Sequence, residues 1–97
     1  MGDLQKLRVT LVILLSQENS RRLSRRQRVA GKEIEVMCAE RDLERDGDTP
    51  ANQGVLDALY GEDTALRQAL AETEQEIHKL EALMAKVDAD ISALCQS

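Results

Sequence analysis

From Leu66 to Leu94 the apolar residues fall at intervals of four and three without a slip: Leu66, Leu70, Thr73, Ile77, Leu80, Met84, Val87, Ile91 and Leu94, with only Thr73 polar. A strand repeats every second residue and a straight helix drifts off any strict seven-residue pattern. A sustained 3.5-residue repeat therefore predicts an α-helix that holds one stripe against a partner helix. Leu70, Ile77, Met84 and Ile91 take the a positions of the heptad, and Leu66, Thr73, Leu80, Val87 and Leu94 the d positions. Ala69 and Leu83 widen the stripe on the g side, which suits a bundle better than a bare two-stranded coil. Any fold of this chain has to supply that seam with a second helix.

The rest of the sequence offers one. From Asp3 to about Arg45 there is no proline and a single internal glycine, Gly31. Asp3 is placed to cap the first turn. Leu4, Leu7, Leu11, Leu14 or Leu15, Leu23, Ala30, Ile34 and Met37 recur at helical spacing, with a polar and basic interruption between Ser16 and Arg28. Gly31 costs about 1 kcal/mol against alanine in a helix and marks a place for a kink. The break comes at Asp46-Gly-Asp-Thr-Pro50, where Thr49 and Pro50 read as the N-cap and first residue of a new helix. That helix is expected to be short, carrying Val55, Leu56, Leu59 and Tyr60 and ending at Gly61, with Asp63 capping the last helix.

The expected fold is all-α: an antiparallel helical hairpin, coiled-coil-like, forming one domain over 1–97. Its parts are a helix over about 3–45, a connection over 46–62 holding the short helix, and a helix over about 63–96. Folding around residue 54 sets Leu43 near Leu66, Met37 near Leu70, Ala30 near Ile77 and Leu15 near Ile91. Composition agrees with this. There is no Phe or Trp, Tyr60 is the single aromatic, and charged residues make up 32% against five glycines and one proline. A core without aromatics has to be filled by Leu, Val, Ile, Ala and Met, as in helical bundles. A hairpin alone covers one face of each helix, so a chain of this size is expected to gain stability by assembling into a bundle.

Two segments stand out as contact surfaces. Val9 to Leu15 is apolar around the whole helix, and a helix of that kind is covered on more than one side. Val9, Val12, Ile13 and Leu15 are therefore the expected interface with a partner helix or a second copy. Arg21, Arg22, Arg25, Arg26, Arg28 and Lys32 form a basic run with no acid among them. Such a run either complements an acidic helix face, here the region of Glu76, Glu81, Asp88 and Asp90, or lies along a nucleic-acid backbone. The net charge of -5 and the lack of interleaved aromatics favour the first.

Other chemistry is thinly supported. Glu74, His78 and Glu81 share one side of the last helix, but Glu-x-x-His spacing is missing because Gln occupies position 75. Glu40, Asp42, Glu44, Asp46 and Asp48 lack the ordered ligands and closing Glu of a calcium loop. Cys38 and Cys95 have no metal spacing and no His beside them, and the hairpin keeps them apart, so free thiols and a reducing compartment such as the cytoplasm are expected. Val9 to Leu15 is far shorter than the roughly 20 residues a membrane span needs. No phosphate loop, nucleophile triad or paired-carboxylate site is present, so neither catalysis, cofactor nor small-molecule substrate is expected.

The sequence therefore points to a non-enzymatic protein–protein interaction module, a small helical adaptor or chaperone that docks a helical partner or forms a homodimer. The competing expectation is a nucleic-acid-associated regulator acting through Arg21–Lys32. In size and helical architecture the chain resembles the chaperones of bacterial type III secretion systems and small phage proteins. That resemblance of architecture implies a chaperone or accessory role.

Overall fold

The computed structural model describes residues 2–96. Two helices, α1 (Asp3–Asp46) and α2 (Pro50–Gln96), make an all-α helical hairpin. The turn between them is set by local chemistry. Gly47 adopts φ +98, a left-handed conformation open to glycine at little cost. From there its N–H reaches the carbonyl of Leu43 at 3.0 Å, closing the end of α1. The Gly47 carbonyl accepts from the Thr49 N–H and from Asn52 Nδ2, both at 3.0 Å. Thr49 is the N-cap of α2: its hydroxyl oxygen accepts from the Asn52 N–H at 3.1 Å, and its carbonyl accepts the first helical bond, from Gln53. Pro50 then occupies the first helical position, where its missing N–H costs nothing.

The expected short helix and second break are corrected. α2 continues through Gly54, Gly61 and Asp63, so Gly61 ends nothing and Asp63 caps nothing. Leu56, Leu59, Asp63 and Leu66 continue the four-three spacing of the later seam, in phase with it. Burial of Leu56, only 5% exposed, adds to that continuity. Packing of an in-phase stripe outweighs about 1 kcal/mol per interior glycine. Gly31 likewise lies within an unbroken α1.

The chain makes two compact units. One comprises the residues up to Arg22 with those from Glu72 onward. Its core is Leu11, Leu80 and Val87, with Leu15, Met84 and Ile91 packed around them. Thr73 and Ile77 are its most buried side chains, and Arg8 Nε meets Asp88 Oδ1 at 2.7 Å. The other unit is Leu23–Ala71, where Val29 and Leu56 are buried and Val36, Ala39, Leu43, Leu59, Leu66 and Leu70 half-buried. Here Lys32 Nζ bonds Glu62 Oε2 at 2.7 Å, the Tyr60 hydroxyl donates to Glu40 Oε1 at 2.7 Å, and Arg67 pairs with Glu33.

These pairs correct the register. Arg8 with Asp88 and Glu40 with Tyr60 have midpoints at residues 48 and 50, at the turn, instead of residue 54. Leu15 consequently packs with the Leu80 and Val87 cluster, Arg8 is the cation opposite Asp88, and Glu62 is the acid opposite Lys32. Leu66, Leu70, Ile77, Leu80, Met84, Val87 and Ile91 are buried or half-buried as the seam requires. Leu94, the last d position, is 65% exposed.

The inward stripe of α1 differs from expectation as well. It runs Leu11, Leu15, Glu18, Arg22, Arg25, Val29, Lys32, Val36, Ala39 and Leu43, again alternating four and three, all buried or half-buried. Leu23, Ala30, Ile34 and Met37 are exposed. Long charged side chains fill these seam positions because their apolar stems pack while their heads reach the rim. Arg25 shows the geometry: Nη1 donates to the Ala69 carbonyl at 3.1 Å.

Candidate interaction surface

The structure divides the Val9–Leu15 block between two faces. Leu11 and Leu15 belong to the core with α2. Val9, Val12 and Ile13 are 48%, 46% and 52% exposed, so roughly half of each side chain remains for another molecule to cover. Leu15 is thus part of the hairpin's own packing, Val9 and Ile13 point outward, and Val12 is exposed at the flank.

Within the basic run Arg25 and Lys32 reach α2, while Arg21 and Arg22 bond residues of α1. Arg21 pairs with Glu18 on its own helix at 2.6 Å, and Arg22 donates to Asn19 Oδ1 at 2.9 Å. Arg25 bonds the Ala69 carbonyl, and Lys32 bonds both Glu35 and Glu62 at 2.7 Å. Those hydrogen bonds, to Glu35 first and Glu62 second, hold the Lys32 ammonium above the ordinary lysine range. In heptad terms Arg21 and Arg28 are g residues, Arg22 an a residue, Arg25 a d residue and Arg26 an e residue. None occupies the outward b, c or f positions, where phosphates running along the exposed helix would lie. The acids expected opposite this run, Glu76, Glu81, Asp88 and Asp90, are therefore not its observed partners in the bonds above.

The outward face of α1 has its own pattern, which the expected single stripe conceals. Beside α2's terminal segment it presents Val9, Thr10, Ile13, Ser16, Gln17 and Ser20, and in the other unit Leu23, Ser24, Gln27, Ala30, Gly31, Ile34, Met37 and Cys38. All are exposed and none is charged, in a chain that is 32% charged. Lys6 and Arg41 bound the face. Within it Val9, Ile13, Ser16, Ser20, Leu23, Gln27, Ala30, Ile34 and Met37 repeat at four and three. This second heptad stripe is readable in the sequence once the charged residues at Glu18, Arg22, Arg25 and Lys32 are recognised as the inward one. The corresponding face of α2 carries Asp57, Glu72, Lys79 and Lys86.

Concave sites are slight. An open-sided groove of about 200 Å³ is lined by Glu33, Val36, Met37, Asp63 and Arg67. A second, of about 420 Å³, is lined by Lys32, Glu62, Ala65 and Leu66. In the first, Asp63 Oδ2 accepts from Arg67 Nε at 2.9 Å while Oδ1 is buried without a hydrogen-bond partner. The Asp63 and then the Glu33 hydrogen bonds push the Arg67 guanidinium to higher affinity for its proton. Among the described residues no group of three His, Cys, Asp or Glu is placed to hold a metal ion, Glu74, His78 and Glu81 included. Cys38 and Cys95 are exposed free thiols. In the acidic segment Asp42 and Asp46 bond Arg45, which depresses the Asp46 carboxyl. Among the described residues no helix is long and apolar enough to cross a membrane.

No protein-family model, curated protein or solved structure matches this chain.

Proposed function

We propose that the protein is a non-enzymatic helix-docking module, a small adaptor or chaperone whose working surface is the outward face of α1 around Val9 and Ile13, with Val12 at its edge. The observation that carries this is the second, uncharged heptad stripe on the side of α1 turned away from α2. A solvent-facing helix ordinarily carries charge there, and a stripe of four-three spacing is the form in which one helix accepts another. Free exposed thiols fit a reducing compartment such as the cytoplasm.

The test is Val12→Asp combined with Ile13→Asp, both exposed and neither a member of the Leu11–Leu80–Val87 core. On mass-resolved chromatography the wild type is expected to run above monomer mass or to retain a helical protein from its host. The variant is expected to run alone as a monomer with unchanged helical circular dichroism. A wild type that is monomeric and retains nothing ends the proposal. The nucleic-acid reading finds less support, because Arg22, Arg25 and Lys32 occupy inward seam positions and the net charge is -5. A mobility shift with DNA or RNA at low salt, abolished by replacing Arg21, Arg22, Arg25 and Arg26 with alanine, would restore it.

A further inference from the structure

Resting on that reading, we infer that the stretch of uncharged α1 face within the Leu23–Ala71 unit receives an acidic amphipathic helix of another protein, an apolar stripe bordered by Glu or Asp. The stretch runs Leu23, Gln27, Ala30, Ile34 and Met37, all exposed, over about 21 Å of helix. The charges around it decide which helix it accepts. One edge carries Arg26, Glu33 and Glu40; the other carries the small Ser24 and Gly31, backed by Arg28 and Glu35, and Arg41 closes the far end. The acids of both edges are already engaged inside the unit. Glu33 accepts from Arg67, Glu35 from Lys32 at 2.7 Å, and Glu40 from the Tyr60 hydroxyl at 2.7 Å. Arg28 and Arg41 are exposed and have no such partner among the described residues, against a single unengaged acid, Glu44, one turn beyond Arg41. The unmatched charge is therefore positive. Ser24 and Gly31, where a Cβ would meet nothing within 4 Å, keep their edge low enough for Arg28 to reach an occupant. A partner's carboxylates gain these guanidiniums without breaking a bond of the hairpin, whereas a basic partner has to compete for acids already held. A second copy would bring the same arginines to the contact. Exposed pairs of this kind add little affinity and mainly select the partner, so the apolar residues hold the helix and the arginines choose it.

Two synthetic helical peptides of three heptads, with Leu at a and d and either Glu or Lys at every e and g position, test this on the full chain by fluorescence anisotropy. Like charges at e and g keep each peptide from pairing with itself. The Glu peptide is expected to bind, more tightly at low salt, and the Lys peptide at least about tenfold more weakly. The net charge of -5 favours the Lys peptide, so a preference for Glu reports the face itself. Arg28→Glu should narrow or reverse the preference, and Ile34→Asp should remove binding of the Glu peptide, each with unchanged helical circular dichroism. Equal affinity for the two peptides, or binding of neither, would overturn the inference, while the chromatography above decides the docking reading separately. Peptide binding that is indifferent to Ile34→Asp but lost in the Val12→Asp, Ile13→Asp variant would also overturn it and keep that reading. So would a wild-type dimer broken by Ile34→Asp, which makes the occupant a second copy, or a DNA duplex that binds in place of the peptides and is released by Arg28→Glu.

Discussion

Tyr60 is the chain's single aromatic group, so its phenol can be followed by ultraviolet absorbance without overlap. Its hydroxyl donates to Glu40, and that hydrogen bond, with some desolvation and the carboxylate's charge, raises the phenol above its ordinary value. Only the protonated phenol can donate, so the bond's contribution is complete below the unfolded value of about 10 and is lost as pH rises through the higher folded one. A spectrophotometric titration is expected to place the Tyr60 midpoint above about 10, and Glu40→Ala should bring it back toward that of a free tyrosine. A midpoint indifferent to Glu40→Ala would mean that the bond does not form in solution. Because Glu40 lies on α1 and Tyr60 on α2, the same titration reports the register: a hairpin turning at residue 54 would not bring this pair together.

At the level of whole elements, glycine positions separate the two accounts of α2. Gly61 lies inside the helix, and a Cβ there meets nothing within 4 Å. Gly61→Ala is therefore expected to raise stability, by up to about 1 kcal/mol. If Gly61 ended a short helix, the same change would lower it. Gly47, at φ +98, is the contrasting case, and Gly47→Ala should cost about 1–2 kcal/mol. Chemical denaturation of the two variants against the wild type measures both signs. The comparison also shows where the sequence was legible. The α2 seam can be read because its stripe is apolar almost throughout, and the break at Asp46–Pro50 can be read because Thr49-Pro50 has one natural role, although the sequence sets the pivot at residue 54 and gives Gly47 no part. The early start of the long α2 was concealed by Gly54 and Gly61, whose propensity opposes the helix while the phase of Leu56, Leu59 and Leu66 favours it. For α1, hydrophobicity pointed to Leu23, Ala30, Ile34 and Met37, whereas the contact with α2 falls on Glu18, Arg22, Arg25 and Lys32. Apolar periodicity identifies a face that is to be covered, without saying by which helix. The candidate surface is accordingly half visible in the sequence: Val9 and Ile13 stand out within the apolar block, but the continuation of their stripe through Leu23, Ile34 and Met37 reads as packing within the hairpin.

For the molecule as a whole, the hairpin spends seam positions on charge. Lys32 and Asp63 occupy inward positions at one level of the Leu23–Ala71 unit, yet they do not bond each other. Lys32 is held by Glu35 and Glu62, and Asp63 by Arg67, with its second oxygen buried and unbonded. A level of this kind costs packing, and its known use in helical pairs is to fix register and partner choice. Here that use has a definite object. α1 carries two stripes of identical spacing, and an all-apolar α2 seam would accept either. Lys32 and Arg25 can reach an acid and a carbonyl of α2 only when the charged stripe faces inward. Replacing Lys32 and Asp63 together with leucine is expected to raise the thermal midpoint, since two apolar residues fill the level. It should also loosen the choice of stripe, seen as multiple or broadened amide resonances and as slower exchange on Leu23 and Ile34 amides in part of the population. A double variant with one sharp set of resonances and a higher midpoint would show that the charged level is a tolerated weakness and not the device that selects which face of α1 stays open.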